Sequence, residues 1–425
     1  LTSTGHINAQ HTTHKVVLPF YVYASLAFLA ATLLLFLSSS ALTGHYFNPK
    51  ILAVTHTMAL GWGTMIIFGA SHQLLPVLTE SGLFSITLGY LSFALAAAGI
   101  PLLVYGFYYF DLGWPAQWGG SAMVLSILCY VINVAGTITK GKKDNVHAIY
   151  SLTAALWLLL TAAVGLTLVY NFTSPFLPEG ALAYLPLHAH IGTTGWFLLL
   201  VIGVGSRLLP MFLISKYDNE RLLWLIYFLI NGGLLSFLLL FFFSLGASFY
   251  WIPVAAVSAA LVMFAYYCYG CLRQRIRKQV DDQMKISLVS TGMMLVALVL
   301  LTLIILLLNA SPGHRLVLLY GFGTFFGWIT AIILGMTFKT LPFIVWNKIY
   351  REKAGSAKTP NPKDLMSNRL FKAMIIAWVT GSLICVAGIS ARSASLLRSG
   401  SALLVAAALL YNWNVMKVLT YKPAT

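Results

Sequence analysis

The stretch from His56 to Pro76, HTMALGWGTMIIFGASHQLLP, is almost entirely apolar, yet it opens on a histidine and carries spaced glycines. Two later stretches align with it without a gap. They are HIGTTGWFLLLVIGVGSRLLP, His190 to Pro210, and FGTFFGWITAIILGMTFKTLP, Phe322 to Pro342. All three share Gly61/Gly195/Gly327, Trp62/Trp196/Trp328, Gly69/Gly203/Gly335, Leu75/Leu209/Leu341 and Pro76/Pro210/Pro342. About 20 apolar residues cross the hydrocarbon core of a bilayer as a helix. Each stretch therefore reads as one membrane span whose glycines admit close helix neighbours. The closing proline is expected to end the helix.

Working outward, polar interruptions divide the whole chain into twelve spans. Their approximate cores are 17–43, 51–78, 82–109, 114–139, 146–171, 184–213, 220–245, 249–272, 284–309, 314–346, 369–390 and 395–419. The aligned stretches are the second, sixth and tenth. The sequence thus predicts an all-α integral membrane protein, a single transmembrane domain over 1–425. Its twelve helices form a pseudo-threefold bundle of three four-helix repeats, about 16–140, 145–278 and 282–421. Composition agrees: 59% of the 425 residues are hydrophobic, 8% are charged, and the mean hydropathy is +0.86. A soluble domain carries about 25% charged residues, so that class is excluded.

The net charge of +16, from 26 Lys and Arg against 10 Asp and Glu, would suggest nucleic acid in a soluble chain. Here the cations sit between spans, where membrane topology and anionic lipid explain them, so no nucleic-acid partner is expected. Lys15, Lys140, Lys142, Lys143, Lys216, Arg221, the 273–278 cluster, Lys285, the 348–372 region, Lys417 and Lys422 fall on one side. Only Lys50, Arg315, Arg392 and Arg398 fall on the other. The positive-inside rule then makes both termini cytoplasmic. The polar segment 349–367, IYREKAGSAKTPNPKDLMS, is expected to be a flexible cytoplasmic loop. The polar opening LTSTGHINAQHTTHK leads to the expectation of no cleavable signal peptide. Cys129 and Cys385 lie inside spans, and Cys268/Cys271 form a CxxC at the end of one. A redox or metal pair is one reading of the CxxC; small, soft membrane residues are the preferred one.

Histidines in a membrane point to function, because an imidazole in hydrocarbon needs a partner. His56 and His190 occupy the same repeat position, hence the same depth, and two imidazoles at one depth suit the axial positions of a haem iron. His188 lies two residues from His190, about 200° around an α-helix, so it faces a different pocket: a second haem, a metal or a polar partner. His72, 16 residues after His56, is expected near the cytoplasmic headgroups, and His147 at the inner surface. His6, His11 and His14 read as a solvated tail. His45 and His314 lie on the outer side, where they would help close a haem pocket. Arg315, Arg392, Arg398 and Lys50 are placed to pair with haem propionates, as they are with lipid headgroups. All ten carboxylates fall in loops or at helix ends, which disfavours a proton pump or ion-coupled transporter.

Together these residues resemble subunit I of the heme-copper oxidases, nearest its C-type cytochrome oxidase and nitric oxide reductase branches. HAHIGTTGW (188–196) is similar to that family's His-x-His followed by Gly-Trp, in which the first histidine holds a high-spin haem and the second a low-spin haem. His56 in VTHTMALGW resembles the low-spin ligand of the family's second helix, and Arg392 stands where the family places propionate-binding arginines. The chain departs from the pattern in three ways. The His-x-His is on the sixth span rather than the tenth, where Tyr320 and Phe322 stand at the matching positions. The seventh span, NERLLWLIYFLINGGLLSF, has no histidine for copper. The family's crosslinked tyrosine motif is not recognisable. The resemblance implies one haem b, with a place for a second, in a bacterial-type inner membrane, without an oxygen-reducing copper centre. Its implied function is electron transfer or NO/O2 binding in a respiratory chain, with other respiratory subunits and a cytochrome c or quinol donor as partners. The alternatives are an oxidoreductase that reduces NO or O2 at a high-spin haem, and a non-redox structural subunit or transporter.

Overall fold

A computed structural model describes residues 4–141, 145–276, 278–307, 313–351 and 359–423, with side chains from His14 onward. Twelve helices among the described residues are long and apolar enough to cross a membrane. They are α1 (Thr4–Leu37), α2 (Pro49–Leu78), α3 (Ile86–Tyr109), α4 (Trp114–Lys140), α5 (Val146–Thr173) and α6 (Ala181–Leu213). The second half holds α7 (Glu220–Phe242), α8 (Ala247–Arg273), α9 (Asp282–Leu306), α10 (His314–Tyr350), α11 (Asn368–Ala391) and α12 (Ala394–Leu419). No strand occurs among the described residues. The protein is therefore a multi-pass helical membrane protein.

The ends of these helices follow local chemistry. Asn48, Asn145, Asn219, Asp281, Ser367 and Ser393 cap α2, α5, α7, α9, α11 and α12, each side chain accepting a backbone N–H of the first turn. α1 stops at Leu37 rather than near 43, because the serine run 38–40 is followed by a 3-10 turn, Ser39–Thr43. In that turn the Thr43 hydroxyl donates to the Ser40 carbonyl at 2.8 Å. The three repeat prolines do not end their helices. Pro76 and Pro210 sit inside helical segments that close at Leu78 and Leu213, and α10 runs beyond Pro342 to Tyr350. Of the segment 349–367, residues 352–358 lie outside the described residues. Its later part is held: Asn361 and Asp364 form a capping box, Leu365 is fully buried, and the Trp346 indole donates to the Pro360 carbonyl at 2.6 Å.

The chain packs as two compact units. The first comprises residues 1–73, 107–110 and 281–425; the second comprises 74–106 and 111–280. In the first, α1 turns Phe20, Tyr21, Ala24, Phe28 and Ala31 into the core. There Phe28 stacks on Trp62 at 4.5 Å between ring centroids. In the second, α5 and α7 are joined by polar pairs along their length. Tyr150 donates to the Leu223 carbonyl (2.6 Å), the Thr153 and Tyr227 hydroxyls share a hydrogen bond (2.9 Å), and the Trp157 indole donates to Asn231 Oδ1 (2.9 Å). Lipid offers no hydrogen bonds, so buried polar groups in such a helix pair must satisfy one another.

One glycine of each aligned stretch presses its helix onto the helix before it in the chain. A Cβ on Gly69 would lie 2.8 Å from Phe20 Cβ of α1. One on Gly203 would lie 2.8 Å from Tyr150 Cγ of α5, and one on Gly335 would lie 2.7 Å from the Gln283 carbonyl of α9.

Candidate functional site

The three aligned stretches share a backbone feature that no α-helical periodicity contains. Each includes a π-helical segment: Thr57–Thr64 in α2, Ile191–Leu198 in α6 and Gly323–Ile329 in α10. The segments begin directly after His56, His190 and Phe322, the matching first positions of the stretches. Each encloses the shared Gly-Trp pair, and Trp62, Trp196 and Trp328 are buried. A π turn takes in about one extra residue, strains the helical ladder and recurs at functional sites. The turns in α2 and α10 are tied together inside the first unit. The Trp62 indole donates to Thr330 Oγ1 (3.3 Å), and that hydroxyl donates to the Phe325 carbonyl (2.7 Å). The Trp378 indole of α11 donates to the Phe326 carbonyl at 2.8 Å.

His56 and His190 are held in the same way. His56 Nδ1 bonds the Leu52 carbonyl at 2.8 Å, and His190 Nδ1 bonds the Pro186 carbonyl at 2.7 Å, each four residues back. A carbonyl only accepts, so Nδ1 carries the proton, and Nε2 is the basic nitrogen of the neutral ring. That is the second-shell arrangement of a metal-ligating histidine, where the opposite ring N–H donates to a carbonyl or carboxylate. Both rings are half-buried beside aromatic groups. His56 lies 4.5 Å from the Phe107 ring, and His190 lies 5.5 Å from Phe237 of α7.

His188 turns to a different neighbour. Its Nδ1 bonds the Thr161 carbonyl of α5 at 3.1 Å, and its ring fits against Gly165, where a Cβ would lie 2.7 Å from His188 Cε1. Gly165 is thus part of the seat of His188. His188 and His190 belong to the second unit and His56 to the first.

The cations expected near propionates, Lys50, Arg315, Arg392 and Arg398, all belong to the first unit, with His56. Arg315 donates to the Ser390 carbonyl at 3.2 Å, two residues from Arg392. Arg392 itself closes α11 in the left-handed region, at φ 52°. The Arg398 guanidinium lies 5.5 Å from the centroid of the Phe36 ring, and Lys50 Nζ lies 6.0 Å from that of Tyr108. All four are exposed. His45 and His314 meet at 4.2 Å between ring centroids. His45 Nδ1 accepts the Phe47 N–H at 3.0 Å, which leaves its proton on Nε2, the opposite tautomer to His56.

His72 and His147 are each held by partners of their own. His72 is 2% exposed, bonds the Phe68 carbonyl through Nδ1, and stacks on Phe20 at 5.4 Å. His147 is tied to the Gly203 carbonyl and to Ser206 Oγ, both at 3.0 Å. His6 and His11 lie among residues whose side chains are outside the description. The Cys268 and Cys271 thiols are buried. Among the described residues no group of three or more His, Cys, Asp or Glu comes together in a metal-binding arrangement. A haem iron, by contrast, asks the protein for only one or two ligands. The chain matches no protein-family model and no curated protein.

Proposed function

We propose that this is a haem-binding membrane protein that passes single electrons, with imidazole ligands drawn from His56, His190 and His188. One observation carries the reading. His56 and His190 each stand at the start of a π turn, and each holds its Nδ1 proton on a carbonyl four residues back. Two separate helices thus prepare Nε2 as a ligand by one device. His188 meets the same requirement through Thr161. When bound, haem supplies reversible one-electron iron chemistry, and an iron with two imidazole ligands has no open position for a gas.

The residues of the chain do the rest. Carbonyl hydrogen bonds fix ring orientation and basicity, and the apolar helix faces exclude water from the macrocycle. Arg315, Arg392 and Arg398 offer charge-assisted hydrogen bonds to propionates at the cation-poor face of the membrane. That assignment rests on the orientation read from the cations, with both termini in the cytoplasm and the four exceptions outside. The equivalent π turns support three four-helix repeats related by pseudo-threefold symmetry. The localisation that follows is a bacterial-type inner membrane, and the motif residues support kinship with respiratory oxidase subunit I.

The reduced-minus-oxidised spectrum of the purified protein, with and without CO or NO, tests the reading. A low-spin α band unmoved by gas is expected, with His190→Ala and His56→Ala each abolishing a low-spin signal. A gas-shifted Soret band would assign gas binding instead. A folded protein supplied with haem that stays colourless would overturn the proposal.

A further inference from the structure

The exposed residues Val262, Tyr266, Tyr269 and Arg273 recur along α8 at three- and four-residue spacing, so they form one lane down the helix. The lane is aliphatic in its depth, aromatic near its end and cationic where α8 closes at Arg273. That is the order of a phospholipid from tail to headgroup.

Beyond Arg273 the chain is tied to the end of α6. Ser215 and Arg275 form an antiparallel backbone bridge, and the Ile276 N–H donates to the Ile214 carbonyl at 3.0 Å. The bridge makes one rim of two loops, with Lys216 from one and Arg273 and Arg275 from the other. All three cations are exposed. Arg275 Nη1 donates to the Leu272 carbonyl at 2.6 Å, which holds its guanidinium back over the end of α8.

These cations lack the counter-charges that others in the molecule have. In the first unit, Lys285 and Lys372 reach Asp282 at 3.0 and 3.7 Å, and Lys339 pairs with Asp281. Lys216, Arg273 and Arg275 form no ion pair with any described residue. The described residues of 214–221 and 273–278 carry Lys216, Arg221, Arg273, Arg275 and Lys278 against Asp218 and Glu220, so the rim is net positive. Glu220 is engaged by the Trp224 indole, which donates to it at 3.3 Å. An anion from outside the chain would complete the rim, and the lane beneath it favours one with a hydrocarbon tail.

We propose that this corner of the second unit binds one anionic phospholipid. Lys216, Arg273 and Arg275 hold its phosphate through charge-assisted hydrogen bonds, and an acyl chain lies along Tyr269, Tyr266 and Val262. A zwitterionic headgroup brings its own ammonium to the cations and loses the net attraction. The site is independent of the haem reading.

Native mass spectrometry of the full chain, released from micelles containing phosphatidylglycerol or phosphatidylcholine, tests the site. Retention of phosphatidylglycerol over phosphatidylcholine is expected. Arg273→Gln with Arg275→Gln should weaken that retention about tenfold, through two lost charge-assisted contacts. Lys285→Gln with Lys372→Gln removes as much charge from the paired cluster of the first unit and should leave retention unchanged. Should the arginine variant melt early, Lys216→Gln alone must show a several-fold loss. Equal loss in the two double variants would reduce the effect to net charge and overturn the site. Equal retention of the two lipids would overturn it as well. Displacement of the lipid by an equal concentration of glycerol phosphate would assign a free-phosphate site instead and overturn the lipid.

Discussion

At the scale of single residues, the decisive feature is which imidazole nitrogen holds the proton. His56, His190, His188 and His72 all bond a carbonyl through Nδ1, and His45 does the reverse. Ligation by His56 and His190 predicts that replacing either one removes a low-spin band. Replacing His72 by Phe, which keeps the stacking on Phe20, leaves the spectrum unchanged. Gly203 yields a second prediction. The Tyr150 ring and Cβ occupy the space a side chain would need, and the crowding atoms sit at the stiff base of the tyrosine rather than its far end. Gly203→Val is expected to cost about 1–3 kcal/mol through overpacking, read as a lowered melting temperature in detergent. The residue types at both sites were legible in the sequence. The proton positions were not, because they depend on carbonyls placed by the fold.

At the scale of the element, the π turn is the unit that repeats. Its start coincides with His56, His190 and Phe322, and its interior holds the Gly-Trp pair that aligned the three stretches. At 3.6 residues per turn the sixteen residues from His56 to His72 amount to about 160° around the axis, a figure that fails once a turn contains an extra residue. Deleting Ala59 should convert Thr57–Thr64 to α-helix and rotate His56 by roughly 100° against everything beyond it. The expected result is a helix content unchanged by circular dichroism, with the His56-dependent part of the haem spectrum lost. A deletion variant that keeps its full spectrum would show that the π turn has no part in aiming His56. The prolines teach a related lesson. A proline near a helix end removes one hydrogen bond, and α2, α6 and α10 carry that loss without ending at the proline.

At the scale of the whole molecule, twelve apolar spans and the one-sided cations were legible directly from composition and pattern. Orientation is tested by single cysteines at Gly44, Gly180 and Thr420 in a cysteine-free background. An impermeant thiol reagent should label 44 and 180 from outside, and 420 only after the membrane is opened; the reverse pattern would invert the topology. The sequence by itself determined the number of helices, their approximate ends and the three aligned stretches, because burial in lipid forces a local apolar signal onto every span. The helix limits agree with the sequence reading to within a few residues, except at α1, which begins at Thr4 rather than near 17 and stops at Leu37 rather than near 43. Tertiary structure alone decided the π turns, the burial of His72, the seat of His188 on Gly165 and the grouping of helices into two units. Each depends on which distant side chain or carbonyl arrives at a given helix face, and an apolar sequence records that a face is buried without recording what buries it.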